Sequence, residues 1–227
     1  MKVVFLNTWN AKVREALTEF IKEQSRDTDV FCFQEVYDDM KQLARDLLPA
    51  YVKMEKYKEV NKDDNFPQAI YVKNSIPIVS SGTIMEHDEN IGLGLYVQLQ
   101  WKNGDLYLCN FHGMSMPGDK LDNPDRIRQS KTLIGFFKDK PGLKIIGGDF
   151  NISPQTESIT MFQKASYRDL IKDFNIATTR NRLAWEKYPD KKYYSDYVFV
   201  SPDVNVKSFS VLNIEISDHL PLIIEVE

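Results

Sequence analysis

Cysteine and histidine are scarce in this 227-residue chain, with two of the former, Cys32 and Cys109, and three of the latter. Neither cysteine belongs to a CxxC pair, so the ligand spacing of a structural or proteolytic zinc site is absent. Each sits inside an apolar run that reads as a strand, which suits two reduced, buried thiols better than a strand-to-strand disulfide. Long uncharged apolar segments are missing as well, so no membrane span is expected. The opening MKVVFLNTWN runs directly into patterned sequence, without the apolar stretch and small-residue cleavage site of a secretory leader, and a cytoplasmic location is the expectation. Internal repeats, low-complexity tracts and Pro/Gly/Ser linkers are lacking too, and residues 1–227 are expected to form a single domain. No feature requires an obligate protein partner, so a monomer is expected. An excess of positive charge is the last absence. A net charge of -4 and a pI near 5.5 deny the chain the broad basic field that nucleic-acid binders commonly use. A nuclease is not thereby excluded, because a bound divalent cation supplies positive charge where a phosphate needs it.

Apolar material, by contrast, is ample. At 42% hydrophobic, 12% aromatic and 27% charged residues, the composition is that of a globular protein able to bury a continuous core. Lys2 to Asn7 is a short β-rich run, and Val13, Ala16, Leu17, Phe20 and Ile21 then follow at helical spacing. Asp29 to Glu35 (DVFCFQE) is a second strand, followed by a helix marked by Met40, Leu43, Ala44, Leu47 and Leu48 that stops before Pro49. Beyond Tyr51 come short strands at Ala69 to Lys73, Ile78 to Ile84, Leu95 to Trp101 and Asp105 to His112. The last two flank Asn103-Gly104, a signal for a tight hairpin. A helix is expected from Pro124 to Asp139 with Ile127, Ile134 and Phe137 on one face, then a buried strand from Leu143 to Gly147. Ser158 to Phe174 reads as partly helical, and Tyr194 to Val200, Val206 to Val211 and Leu222 to Val226 read as closing strands. This interleaving is compatible with two sheets packed face to face under outer helices, and also with an open α/β sheet. Two irregular stretches are candidate substrate loops: Gly113 to Asp125, and Ala177 to Lys192 with Trp185 and Tyr188 among basic residues.

Polar residues stand at the ends of these strands. Asn7, Glu35, His112, Asp149 with Asn151, Asp196, and Asp218 with His219 each close, open or follow one. Strands ending on one edge would bring them into a single pocket rich in carboxylate and imidazole. So sparse an acidic set suits Mg2+, which keeps several waters and takes only one or two carboxylates. Taken singly, each residue has a plainer role. Asn7 or Asn10 caps the next helix, Glu35 is solvated at a turn, and His112 is a half-buried histidine on an edge strand. Asp149 and Asn151 make a turn after two glycines, and Asp218-His219 is a cap or loop. Asp196 fits a plain role least well, because a charge heading the aromatic strand YYSDYVFV is costly if buried unpaired.

Order along the chain decides between these readings. FLN near the start, FQEV at Glu35, NFH at His112, GGDFN at Asp149, SDYVFVS at Asp196 and SDHLPL at Asp218 resemble the ordered signatures of the endonuclease/exonuclease/phosphatase superfamily, which includes DNase I and exonuclease III. The resemblance runs from residue 3 to the C-terminus, and GDFN followed far downstream by SDHLP is its most specific part. It implies an α/β fold of DNase I-like type, a four-layer α/β sandwich of two mixed β-sheets packed face to face with helices outside. It also implies a hydrolase of phosphoester bonds with Mg2+ as cofactor and Mn2+ as a substitute. Glu35 is then the principal metal carboxylate, with Asn7 and Asp218 close enough to bind the ion or its waters. Asn7 takes this role rather than Asn10 because strand alternation puts Val3, Phe5 and Asn7 on one face.

By the same resemblance Asp149 orients or deprotonates the attacking water, and Asn151 binds a phosphate oxygen or holds Asp149. His219, paired with Asp196, contacts the phosphate or acts as a base, and which group takes the proton stays open. His112 donates to the phosphate or stabilises the leaving group. Histidine at that position matches the DNase I, sphingomyelinase, inositol-phosphatase and tyrosyl-DNA phosphodiesterase branches, whereas the abasic-endonuclease branch typically has tyrosine. Arg126 and Arg128 are the nearest cations after the His112 loop, each either facing the phosphate or solvated on a helix. Tyr193, Tyr194 and Trp185 either stack on bases or pack. The expected reaction is in-line attack of water on a phosphodiester, as in a nuclease or a DNA- or RNA-end-processing enzyme. The alternative is a phosphatase or phosphodiesterase for a sugar, inositol or sphingolipid head group, the lipid version disfavoured by the lack of a membrane-inserting hairpin. A catalytically dead scaffold is disfavoured because the complete residue set is present.

Overall fold

Strands that are apolar on both faces need cover on both faces, and this chain supplies it by alternating strands with helices. The computed structural model describes residues 1–60, 65–102, 104–186 and 190–227. Its first half comprises β1 (Lys2–Asn7), α1 (Arg14–Gln24), β2 (Val30–Gln34), α2 (Asp38–Leu47), β3 (Tyr51–Lys56), β4 (Gln68–Lys73), β5 (Ile78–Ile84), β6 (Leu93–Trp101) and β7 (Gly104–His112). The second comprises α3 (Pro124–Lys138), β8 (Leu143–Asp149), α4 (Glu157–Lys164), β9 (Arg168–Asp169), α5 (Leu170–Asp173), α6 (Arg182–Trp185), β10 (Asp196–Val200), β11 (Val206–Val211) and β12 (Leu222–Val226). One six-stranded sheet has the order β11-β12-β1-β2-β4-β3 and the other β5-β6-β7-β8-β10-β9. Each contains a parallel pair, β1 with β2 and β7 with β8, among antiparallel neighbours. This is the four-layer sandwich of two mixed sheets, and the open single sheet is set aside.

Alternation along β1 divides the core. Val3 and Phe5 join Val30, Cys32, Ile70 and Val72 in the cluster shared with the second sheet. Val4 and Leu6 point the other way, with Phe31, Phe33 and Tyr71, onto Leu17, Phe20 and Ile21 of α1 and Met40, Leu43 and Ala44 of α2. Leu133 and Phe137 of α3 and Ile159 and Phe162 of α4 cover the second sheet, where the Phe162 and Phe199 rings stack at 4.2 Å. Full burial of each such side chain stabilises the fold by about 1.5–3 kcal/mol before entropy is counted. Gly147 of β8 admits the Phe5 ring of the facing sheet, since a Cβ there would lie 2.8 Å from it. Polar ties also join the sheets. The buried Asn110 of β7 donates to Phe33 O at 3.0 Å and Ala69 O at 3.2 Å and accepts from Gln34 Nε2, while Gln68 Nε2 donates to Leu93 O at 2.8 Å.

Some elements differ from expectation. β3 is an edge strand whose side chains are largely solvated, so it has little apolar alternation to announce it. Ser158 to Phe174, expected to be partly helical, is so: α4 and α5 are separated by a left-handed Ser166 (φ 69) and the two-residue β9. On α3, Phe137 is buried as expected and Ile134 packs partly against the core, but Ile127 is only half-buried and the fully buried face also carries Arg126, Gln129, Ser130 and Leu133. Of the three polar residues on that face, Arg126 and Gln129 turn inward because they hold loops. Gln129 Oε1 accepts from the N–H groups of Gly92 (2.6 Å) and Met114 (3.0 Å). Trp101 pairs with Gly104 across the β6/β7 hairpin, and Asn103 of the expected turn lies outside the described residues. Both cysteines are free and buried. Among the described residues no helix is long and apolar enough to cross a membrane.

Candidate active site

Strand direction decides where the polar residues go. β1 and β2 are parallel, as are β7 and β8, so Asn7, Glu35, His112 and Asp149 all emerge at carboxyl ends. β10 runs antiparallel to β8 and begins with Asp196 opposite Asp149. β12 runs antiparallel to β1, which returns Asp218 and His219, just before it, to the same rim. Asn7 bridges the two sheets here. Its Nδ2 donates to Glu35 Oε1 at 3.0 Å and to Asp149 Oδ2 at 3.1 Å, while its Oδ1 accepts from Trp9 N at 3.1 Å. Asn10 is turned elsewhere, in a left-handed turn where its Oδ1 accepts from Met40 N at the start of α2. No side chain caps α1, so neither asparagine has that plainer role.

Asp149 is the hub. Its Oδ1 accepts from the Ser195 hydroxyl at 2.6 Å and the Asn151 N–H at 2.9 Å. Its Oδ2 lies 3.6 Å from His219 Nε2 and 4.0 Å from His112 Nε2. Burial by itself raises this carboxyl, but the charges of His219, Lys120 and His112 and the Ser195 hydrogen bond outweigh it and hold the group well below the usual carboxylate range. His219 Nδ1 lies 2.9 Å from both oxygens of the buried Asp196. Burial and the Arg180 charge disfavour its imidazolium, yet Asp196, Asp149 and Asp218 prevail and its pKa is raised. The approach to Asp149 carries backbone strain: Glu35 and Asn151 are left-handed (φ 54 each), and Gly148 has φ 131. Each non-glycine residue in that region costs about 1–2 kcal/mol, and such outliers gather at functional sites.

The rim also holds residues that the sequence did not single out. Lys120, from the Gly113–Asp125 loop, is buried and donates to Ser195 Oγ at 2.6 Å and Asn151 Oδ1 at 3.2 Å. Burial pulls its ammonium down to about 8, against the attraction of Asp149. Arg180, from the Ala177–Lys192 stretch, donates to Asp218 Oδ2 at 2.8 Å and to Asp218 O at 3.2 Å. The Ser217 hydroxyl donates to Asn7 O at 2.7 Å. A lone lysine or arginine in an irregular segment gives no sequence signal. Ser195 at least precedes Asp196 in the SDYVFVS motif.

The two arginines first considered for phosphate lie elsewhere. Arg126 is fully buried, with its guanidinium on Asp119 and the carbonyls of Ser115, Pro117 and Leu121, so it organises the loop and offers no free face to a ligand. Arg128 is paired with Asp88 and Asp125. Of the aromatic candidates, Trp185 and Tyr193 meet edge-on at 5.2 Å with Tyr193 exposed, and the Tyr194 hydroxyl donates to Ile176 O. Tyr188 lies outside the described residues.

A model described as the Endonuclease/Exonuclease/phosphatase family matches residues 6–219. The chain belongs to this family. Members of the Endonuclease/Exonuclease/phosphatase family are phosphoester hydrolases that use divalent metals. Three similar solved structures are a Bacteroides thetaiotaomicron mannosyl-6-phosphatase (18% identity, 100% of this chain and 99% of that one covered, TM-score 0.76), the human Nocturnin catalytic domain with bound sulfate anion (18%, 100% and 94%, 0.75) and D. rerio TDP2 complexed with single-strand DNA product (15%, 100% and 98%, 0.75). At these identities the likeness shows the fold. Comparison with curated proteins gives no match.

The donor set can be tested against the divalent ion that Endonuclease/Exonuclease/phosphatase enzymes use. Ligand atoms of Asp149, Asp196 and His219 lie within 4.8 Å of one another. Both Asp196 oxygens, however, already face His219 Nδ1, an arrangement for holding a proton. Glu35 fits a cation better. It offers oxygen, the ligand a hard cation prefers, and shares the Asn7 amide nitrogen with Asp149, which keeps it beside the carboxylate that faces both histidines. Asp218 is engaged by Arg180.

Proposed function

We propose that this protein hydrolyses phosphoester bonds by in-line attack of water on phosphorus with Mg2+ as its cation, which Mn2+ replaces. The observation that supports this most is the environment of Asp149 Oδ2, which faces the Asn7 amide, His219 and His112 at once. In this reading Glu35 is the carboxylate that would hold the cation, with Asn7 and Asp218 reaching it or its waters. Bound there, a divalent cation supplies positive charge to the phosphoryl oxygens. Asp149 orients the attacking water through Oδ2. His219, its tautomer set by Asp196, exchanges a proton at Nε2 with the water or a phosphoryl oxygen. His112 donates to the departing oxygen or to the phosphate. Asn151 keeps its backbone N–H on Asp149 and its Nδ2 on Gly113 O at 3.1 Å, leaving one amide hydrogen for a phosphoryl oxygen.

For the substrate, the first reading is a nucleic-acid strand or end. A cavity of about 530 Å3 lined by Arg180, Asn181, Trp185 and Leu220 supports it, because its Arg180 pairs with Asp218 and its Trp185 offers an aromatic surface for a base. A second reading, a small phosphate ester such as a sugar phosphate, is favoured by a cavity of about 120 Å3 between Phe66, which meets His112 edge-on, and Glu89, Asn90, Met114 and Asp125. Those carboxylates suit the hydroxyls of a neutral leaving group and repel a further phosphate. The test is one panel of single- and double-stranded oligonucleotides, phosphomonoesters and phosphodiesters of sugars and inositol, assayed with Mg2+. Cleavage or trimming of oligonucleotides supports the first reading, and turnover confined to small esters supports the second. No turnover of any member refutes the proposal.

A further inference from the structure

A flexible loop does not hold a lysine inside a protein unaided, and the Gly113–Asp125 loop is pinned on both sides of Lys120. Arg126 NH1 donates to Leu121 O at 2.6 Å and Asp119 Oδ1 at 3.1 Å, and NH2 donates to Pro117 O at 2.5 Å and Ser115 O at 3.3 Å. Asp122 accepts from the first turn of α4, from Glu157 N at 2.5 Å and from Ser158 N and Oγ at 3.1 and 2.6 Å. The carbonyl of Lys120 itself accepts from Ser153 N at 2.8 Å. What the loop delivers is a buried ammonium whose hydrogen-bond acceptors, Ser195 Oγ and Asn151 Oδ1, are both neutral. A charge so placed is costly for stability, which argues for a role other than holding the fold together.

Hydrogen-bond direction shows what that role is. An ammonium only donates. Ser195 Oγ therefore accepts from Lys120, and its own hydrogen goes to Asp149 Oδ1 at 2.6 Å. Asn151 is likewise fixed in one sense, Oδ1 toward Lys120 and Nδ2 toward Gly113 O. With the Asn151 N–H as second donor, Asp149 Oδ1 has two hydrogen bonds from the protein, and Oδ2 is the oxygen that faces Asn7, His219 and His112.

We propose that Lys120 and Ser195 form a positioning relay for the hydrolysis proposed above: the ammonium sets the direction of the Ser195 hydroxyl and the Asn151 amide, and these hold Asp149 with Oδ2 presented to the attacking water. The relay rests on the phosphoesterase reading. Both are positioning residues, acting through Asp149 and Asn151.

The test uses Lys120→Met, Ser195→Ala, their double variant and Ser195→Thr, assayed with Mg2+ on the best-hydrolysed member of the substrate panel. Each of the first two is expected to lower kcat roughly 10- to 100-fold, the scale of a misplaced reacting group, with little change in KM and without a fall in thermal midpoint, which Lys120→Met should if anything raise. The double variant should be no worse than the poorer single, because both cut one chain, and Ser195→Thr should recover most of the rate. Wild-type kcat in either single, losses that multiply in the double, or rate losses that track the thermal midpoint overturn the relay. A second measurement needs no turnover. In 15N-lysine-labelled protein, Lys120 should give a slowly exchanging ammonium signal that shifts or vanishes in Ser195→Ala, and its absence from the wild type overturns the contact. If the wild type hydrolyses no phosphoester, the functional reading fails and the signal alone decides whether the contact exists.

Discussion

Replacing Asp196 by asparagine isolates the proton-handling half of the site. Both Asp196 oxygens lie 2.9 Å from His219 Nδ1, so Nδ1 carries hydrogen and Nε2 faces Asp149 Oδ2 at 3.6 Å. Asparagine fills the same space without charge, and its amide group can donate to Nδ1 and move the imidazole hydrogen to Nε2. The sign of the pH effect follows from the surrounding groups. Burial and Arg180 lower the His219 pKa, and Asp196 leads the three carboxylates that raise it above the ordinary value. Removing that carboxylate lowers the pKa, so the His219 limb of the pH–rate profile moves to lower pH. A positioned acid or base is worth about 10^2- to 10^4-fold, and kcat near neutral pH should fall by that factor with KM largely kept. Measuring kcat and kcat/KM across the titration range of histidine, for wild type and Asp196→Asn on one phosphoester, checks both parts. A loss smaller than tenfold with an unmoved limb would refute the assignment of His219 and Asp196 as the proton-handling pair.

Glu35→Gln keeps the side-chain size and removes a charge, so Mn2+ affinity by calorimetry should drop by about 10- to 100-fold or more, and undiminished binding would contradict the cation site. Asn110→Ala removes two donated bonds and one accepted bond between the sheets and should cost about 3 kcal/mol in urea unfolding, whereas a change near zero would show that those ties contribute nothing. Lys120→Met should alter the pH dependence of stability. The folded ammonium, pulled down to about 8, releases its proton below the unfolded value of 10.5, so between these values the unfolded chain binds more protons and wild-type stability should rise relative to the variant. Parallel stability curves for the two proteins across that window would contradict it.

The apolar pattern shows the strand ends at which the candidate site's residues stand, and it is the ordered motifs resembling the superfamily that single those residues out from their plainer roles. Asn7, Glu35, His112 and Asp149 follow runs that alternate or stay apolar, and the topology needs only the pairing of β1 with β2 and β7 with β8 to gather them. The choice of Asn7 over Asn10 rested on period-two alternation, and the structure gives Asn10 a different neighbour in α2. Lys120, Arg180 and Ser217 were illegible for a common reason. They reach the site from loops, where position is set by tertiary contacts and not by a local period. The two arginines on α3 misled because a cation near a motif suggests phosphate. Only packing reveals that Arg126 points inward to four acceptors of its own loop.

Hydrolysis in 18O-labelled water tests the central claim most directly. With Mg2+ present and the best substrate of the panel, attack of water on phosphorus places one labelled oxygen in the phosphate product and none in the released alcohol, as mass spectrometry of both products would read. Label appearing in the alcohol, or product formation that is unaffected by removing the divalent ion with a chelator, would contradict it.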